Sequence, residues 1–413
     1  MRTTTYRLSM NDVTTPVLPA ADSSGAILAL IRSGVATTRA RIMQVTGLSR
    51  STVGQRLETL LAAGYLEHGQ TTASTGGRPQ ASLRINPAFG VMLLADIGAE
   101  KMRLALADMH GNTLASSAEL NDIASGPQAT LTRVLQQFES LLHMAQRTAA
   151  EVKGIGIGVP GPVEFAQGRV VRPPIMTGWD GYVVPDFFAP HFHCPVRVDK
   201  DVNLMALGEH RAVWPDVAHM MYVTVGTGIG AGLIMDGHPQ RGAQGGAGDL
   251  GHLFMGHAGS AGGGELPVCR CGNAGCLEAY AAGWSLTRQL EGRGYPVHVA
   301  QDVAALARQG DADVVAMLLQ SGRLVGEALA QAVSLLNPSL VVLGGVLADS
   351  QDHLLAGVRE MVYRRSLPLA TRNLQILGSE LADDAALVGC AHLVADAVFA
   401  PQAVDAALLG NAG

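Results

Sequence analysis

MYVTVGTGIGAGLIMDG, residues 221–237, carries the reading of the fold. An apolar run leads into alternating glycines at Gly226, Gly228 and Gly230, a second apolar run follows, and Asp236-Gly237 supplies a turn. Two apolar strands around a glycine-rich turn make a hairpin, and glycines placed there let backbone N–H groups approach phosphate oxygens. Upstream, a strand at 91–97 ends in Asp96-Ile97-Gly98, and short strands follow at 103–108 and 113–117. A long helix over about 128–149 then leads to a strand at 154–158 that runs into Val159-Pro160-Gly161-Pro162. Downstream come a helix at 312–335, a strand at 340–343 with Gly344-Gly345, and a final helix from about Asp384. Strand, hairpin, helix and strand, then the same again, is a duplicated α/β plan.

The chain has 413 residues and a formal net charge of −6. That length suits two or three domains. With 48% hydrophobic and 15% charged residues, it has a sizeable core and is not a disordered chain. Taken whole, the negative charge argues against nucleic acid as a partner. The charge is unevenly spread, however: residues 1–88 hold nine Arg, no Lys and four acids, or +5, which leaves −11 for the rest. A basic module joined to an acidic body is the pattern of a nucleic-acid reader attached to a second function. The N-terminus has no signal-peptide pattern and no run of about 18 apolar residues occurs. The expectation is a cytoplasmic protein with no membrane partner.

Behind a flexible tail at 1–22, residues 23–88 read as three helices and a pair of strands. The pattern SGAILALIR at 24–32 is the first helix, 38–45 the second, and a third runs from a Ser49 cap to about residue 63, with Gly64 after it. Strands at 65–67 and 82–85 would enclose a loop holding Gly76-Gly77-Arg78-Pro79. Helix, turn, helix and wing is a DNA-binding layout. Its recognition helix would present Arg50, Ser51, Thr52, Gln55 and Arg56, and the wing would present Arg78. Ser and Thr suit phosphates, whereas Arg and Gln can pair with base edges.

Cys269, Cys271 and Cys276 fall within eight residues. Three thiolates in a glycine-containing loop need one further ligand to close a tetrahedral structural zinc site, and His252 and His257 both lie upstream. Asp201 follows a strand at 196–198 and starts a helix. A carboxylate at that place faces the ligand crevice of α/β proteins and can serve as a base toward a sugar hydroxyl, or simply cap the helix.

The stretches GGRPQASLRINP, DIGAEKMRLAL, GIGVPGPV, DKDVNLMALGE, VGTGIGAGLI, GDLGHLF, CRCGNAGCLEAY and NPSLVVLGG together resemble the ROK family of repressors, open reading frames and sugar kinases. The resemblance covers about residues 24–400. It implies an N-terminal winged helix-turn-helix followed by a duplicated, actin-like, ribonuclease H-like two-lobed body. The first lobe would span 89–208, completed by a helix at 383–400, and the second 209–382 with a zinc loop at 249–278. The resemblance also implies that Asp201 matches the kinase base, that Asp249, His252 and Glu278 match sugar-contacting positions, and that His252, Cys269, Cys271 and Cys276 hold one zinc ion.

The chain departs from the kinase pattern at the phosphate loop, where Ala99 and Glu100 replace a Gly and a Thr. A carboxylate at that place repels nucleotide phosphates, so no kinase activity is expected and Asp201 is read as a vestigial base or a sugar ligand. Lys200 stands where the family has Asn, and Asp249 where it has Glu. Lys200 is therefore a candidate partner for a phosphorylated or acidic sugar. The function expected is a sugar-responsive transcriptional repressor, a homodimer or homotetramer that binds operator DNA and responds to a sugar or sugar-phosphate effector. An ATP-dependent sugar kinase with an accessory DNA-binding domain is the alternative.

Overall fold

Three side-chain caps order the first helices of the chain. In a computed structural model, which describes residues 22–71, 81–256, 265–348 and 352–410, Ser23, Thr38 and Ser49 each accept a backbone N–H two or three residues into the following helix. These caps start α1 (Ser24–Arg32), α2 (Arg39–Thr46) and α3 (Arg50–Ala62), where four N–H groups would otherwise lack partners. Gly47, with φ of 71°, ends α2 in a conformation that favours glycine. Ile27, Leu28, Ile42, Val53 and Leu60 are completely buried between the helices. The antiparallel pair β1 (Leu66–Thr71) and β2 (Ala81–Ile85) follows, with Leu66 opposite Ile85.

The chain divides into two compact units, and this first one extends through Phe89 and takes back the C-terminal segment from Ala397. Its last helix, α14 (Pro401–Gly410), lies on α1. The Gly25 N–H donates to Asp405 Oδ1 at 2.8 Å, and a Cβ on Gly25 would come within 2.2 Å of the Pro401 carbonyl oxygen. Phe399 is buried beside Phe89 and Tyr65, and Arg32 lies over its ring. The sequence reading ends the last helix at 400 and has no place for α14. Val404 is the one buried residue of that helix, so its hydrophobic pattern is too sparse to read.

The second unit, Gly90–Asp396, repeats one sheet twice. The first sheet has the order β5 (Thr113–Leu120), β4 (Lys101–Asp108), β3 (Val91–Ile97), β6 (Val152–Val159), β9 (Val196–Lys200). The second has the order β12 (His238–Gln240), β11 (Ile229–Met235), β10 (Met220–Val225), β13 (Leu340–Gly344), β14 (Gln375–Gly378). In each, three antiparallel strands are joined by two parallel ones. The duplicated plan is therefore present, strand for strand. The small hairpin of β7 (Val163–Glu164) and β8 (Arg169–Val170) projects between β6 and the short helix α5 (Val184–Phe188).

Helices cover the sheets. On the first, α4 (Pro127–Met144) buries Leu131, Val134, Phe138 and Leu141, and α13 (Ala385–Val398) packs Cys390 and Val394 against Gly156 of β6. On the second lie α7 (Leu277–Ala281), α8 (Gly283–Glu291), α9 (Ala300–Arg308), α10 (Ala312–Leu336) and α11 (Asp352–Arg365), followed by the single turn α12 (Pro368–Thr371). The helix read over 128–149 is shorter, ending at Met144. Helix α6 (Asp201–Ala212) joins the two halves: its Val202 and Ala206 pack with Met220, Tyr222 and Ile234 of the second sheet. A lobe boundary at 208 would divide it from the sheet it covers. Two glycines make its seat on α13 possible, since a Cβ on Gly389 would lie 1.9 Å from the Leu204 carbonyl oxygen and one on Gly208 2.1 Å from that of Ala385.

Among the described residues no single helix is long and apolar enough to cross a membrane.

Candidate ligand cleft and metal centre

Strand ends build the cleft of the second unit. Its cavity, of about 400 Å³, is lined by Gly98 and Ala99 after β3, Arg172 after β8, Lys200 at the end of β9, Asp201 directly after it, and the glycine turn between β10 and β11. Asp249, His252 and Glu278 complete the wall. All five residues named for the effector thus meet in one cavity.

The charges there are arranged in pairs. Lys200 Nζ donates to Asp249 Oδ1 at 2.5 Å, with the lysine side chain only 12% exposed. Lys200, read as a candidate partner for a phosphorylated or acidic sugar, is thus ion-paired with Asp249 at the cleft wall. One residue earlier, buried Asp199 accepts from Asn203 Nδ2 at 2.8 Å and Arg241 Nε at 2.7 Å. That network, which the sequence reading missed, sets the strand-to-helix turn that carries Asp201. Burial pushes the Asp201 carboxyl up to about 6 against the pull of Lys200. Asp96, at the end of β3, is pushed up to about 7, first by burial and then by the charge of Asp201. The two carboxyls lie within electrostatic reach of one another.

Glu278 is tied to the glycine turn. Its Oε2 accepts the Ile229 N–H at 3.1 Å and its Oε1 accepts Trp284 Nε1 at 3.2 Å. A Cβ on Gly228 would lie 2.9 Å from Oε2, so the glycine is needed for this approach. Behind the turn is a second cavity of about 540 Å³, lined among others by Glu100, Thr227, Arg270, Trp284 and Arg288. Burial raises the Glu100 pKa, while Arg270 and a hydrogen bond from Thr227 pull it back.

The metal cluster stands beside the cleft. The ligand atoms of His252, Cys269, Cys271 and Cys276 lie within 4.8 Å of one another. His252 Nδ1 is 3.7 Å from Cys269 Sγ, and Cys271 Sγ is 3.7 Å from Cys276 Sγ. The Cys269 N–H donates to the Asn273 carbonyl at 2.7 Å, and Gly272 and Gly275 take positive φ of 91° and 80°. The loop is thereby folded back on itself with its sulfurs converging. Because Nδ1 faces the sulfurs and His252 also lines the cleft, its Nε2 remains for a ligand. The other upstream histidine, His257, lies outside the described residues.

In the first unit, Arg50, Ser51 and Gln55 are exposed on the first turns of α3, with Thr52 and Arg56 half-buried. Ser51 and Thr52 hydroxyls hydrogen-bond to Ser49 Oγ at 2.9 and 2.8 Å. Arg56 Nε donates to the Asp22 carbonyl at 3.0 Å, so it braces the start of α1. Arg78 lies outside the described residues.

A model described as the ROK family matches residues 93–397. A xylose repressor of Caldicellulosiruptor bescii is 27% identical over 391 residues, which is 91% of this chain and 96% of that protein. The solved structure of a ROK family transcriptional regulator, a homologue of the E. coli MLC protein, superposes with a TM-score of 0.77 at 25% identity, over 92% of this chain and 97% of that one. A ROK family glucokinase from Streptomyces griseus, solved with glucose and AMPPNP, gives 0.61 at 26% identity, over 74% of this chain but 99% of its own.

Proposed function

The chain belongs to the ROK family, and from that membership we propose that it is a sugar-responsive transcriptional repressor that binds operator DNA. One observation carries this reading. The similar regulators extend over nine-tenths of the chain, whereas the similar glucokinase is fully accounted for by about three-quarters of it. The family match begins at residue 93, after the three capped helices and the hairpin.

In this reading that unit is a winged helix-turn-helix. Helix α3 enters the major groove with Arg50, Ser51, Thr52 and Gln55, and the wing carries Arg78. The protein acts as a dimer, matching paired half-sites. A carbohydrate occupies the cleft, held by Asp201, Asp249, His252 and Glu278. Contacts from both sheets make the lobes close on it, and a ligand that favours the closed form shifts the population away from the DNA-bound one.

The His252, Cys269, Cys271 and Cys276 set fits one structural zinc ion. Zn–S bonds of about 2.3 Å place tetrahedral sulfurs about 3.8 Å apart, close to the 3.7 Å between Cys271 and Cys276. Four protein ligands leave no open position, so a zinc ion held by them would supply structure to the loop and fix the orientation of His252 toward the cleft. Reduced thiols of this kind suit the cytoplasm.

Phosphoryl transfer is not part of the proposal. Glu100 sits beside Thr227 of the glycine turn, where a nucleotide triphosphate would meet a negative charge.

Selection of bound duplexes from a randomised DNA pool, followed by anisotropy titrations with a panel of sugars, tests the reading. Expected are a sequence-selective complex that weakens steeply with salt and that one carbohydrate dissociates. DNA binding without selectivity, or robust ADP release from ATP and a hexose, would overturn it.

A further inference from the structure

We infer that Arg172 selects effectors carrying an anionic group, a phosphate or a carboxylate, over their neutral counterparts. The inference rests on the cleft being a carbohydrate site, as proposed above.

Arg172 lines the cavity that holds Asp201, Asp249 and Glu278, and its side chain is open to solvent. The other cations of that region are engaged. Lys200 pairs with Asp249, Arg241 pairs with Asp199, and Arg270 lies 4.9 Å over the Trp284 ring. Among the described residues no carboxylate pairs with the Arg172 guanidinium. A planar fork of donors that is not itself ion-paired matches phosphate and carboxylate oxygens two at a time.

The backbone at this position is strained in order to place it. Arg172 has φ of 41°, a value that residues with a Cβ rarely take. The surroundings hold it there. Its N–H donates to Asp180 Oδ1 at 2.8 Å, and the Val171 N–H to the Pro162 carbonyl at 3.0 Å. Pro173 and Pro174 follow directly. Trp179, fully buried, anchors the loop by donating Nε1 to the Ile123 carbonyl at 3.2 Å. Strain kept by over-determined surroundings collects at ligand clamps, and a glycine would satisfy this backbone without cost.

Calorimetric titration of the full chain tests the inference. The ligands are glucose, N-acetylglucosamine and xylose, the 6-phosphates of the two hexoses, and glucuronate. Wild type should bind one anionic member at least tenfold more tightly than its neutral parent, and whether that member is a phosphate or the uronate identifies the anion. Arg172→Gln should remove about tenfold to a hundredfold of that preference, read as the ratio of anionic to neutral affinity, and Arg172→Lys should restore part of it. Arg172→Gly relieves the strained φ, so it should unfold at no lower denaturant concentration than wild type and still lose the preference. That outcome separates recognition from a structural role. Equal affinity of wild type for each neutral and anionic pair, or a preference that survives in Arg172→Gln and Arg172→Gly, would overturn the inference and leave carbohydrate binding standing. Binding of no sugar in the panel by wild type would overturn both.

Discussion

Replacing Asp96 with Asn should stabilise the two-lobed unit above pH 7 and leave it almost unchanged near pH 4. The carboxyl lies near the end of β3, and folding pushes its pKa from 3.8 up to about 7, mainly by burial and next by the charge of Asp201. Between those two values the folded state holds a proton that the unfolded state has lost. Stability therefore falls as pH rises through this window, and the loss is complete above about 7. At roughly 1.4 kcal/mol per tenfold change in proton affinity, a rise of this size caps the loss at about 4 kcal/mol. Asp96 keeps partial exposure to solvent, so water screens part of its charge, and we expect about half of that cap.

The measurement is urea unfolding followed by tryptophan fluorescence at pH 5 and pH 8, without sugar. Trp179, Trp214 and Trp284 are the three tryptophans of the chain and all lie in the two-lobed unit. The signal therefore reports this unit and not the N-terminal helices. A gain of about 2 kcal/mol at pH 8 moves the midpoint up by roughly 0.7 M urea if the slope is ~3 kcal/mol/M. At pH 5 the midpoints of variant and wild type should lie closer together. The same offset at both pH values, or a lower midpoint for Asp96→Asn at pH 8, would refute the reasoning.

Four further perturbations follow from the geometry. Cys271→Ser should lose the single bound metal measured by atomic emission, and should lower the thermal midpoint of the two-lobed unit by at least about 5 °C, as should a chelator on wild type. Gly389→Ala sets a Cβ 1.9 Å from the Leu204 carbonyl oxygen and should cost about 1–3 kcal/mol in the same fluorescence assay. Asp405→Ala removes the acceptor of the Gly25 N–H. It should weaken α1 by about 1 kcal/mol, seen as faster hydrogen exchange of the α1 amides with no shift in the tryptophan midpoint. Lys200→Asn combined with Asp249→Glu should be less destabilising than the two single changes added together, by about 1 kcal/mol in a double-mutant cycle.

The parts of this molecule that were legible in its sequence are those that local chemistry writes. Largely apolar runs marked β3, β6, β10 and β13, all almost wholly buried. Ser49 marked the start of α3 through its own side chain, whereas the caps at Ser23 and Thr38 emerged only in the structure. The spacing of Cys269, Cys271 and Cys276 foretold a cluster that the fold closes with His252. What stayed hidden depends on partners far apart in the chain. Asp405 meets Gly25 across 380 residues, and Arg56 turns to the Asp22 carbonyl instead of staying free on α3. Neither pairing leaves a periodic trace, because each is decided by one atom at either end.

Lys200 and Asp249 show how such hidden partners alter a functional reading. Taken one at a time, a lysine where relatives of the resemblance have Asn adds a positive charge to the cleft, and an Asp in place of Glu shortens a sugar contact. Their side chains meet at 2.5 Å across 49 residues of sequence, so the two departures are one feature with no net charge. The longer cation reaches the shorter acid, which fixes both side chains at the cleft wall. An acidic group on a ligand gains little from a lysine already neutralised in this way, since whatever it gains from the cation it loses to the neighbouring carboxylate. The attraction must then come from a cation without such a neighbour. That requirement passes the discrimination between charged and neutral sugars from Lys200 to Arg172, whose backbone is held at φ of 41° in the lining of the same cavity.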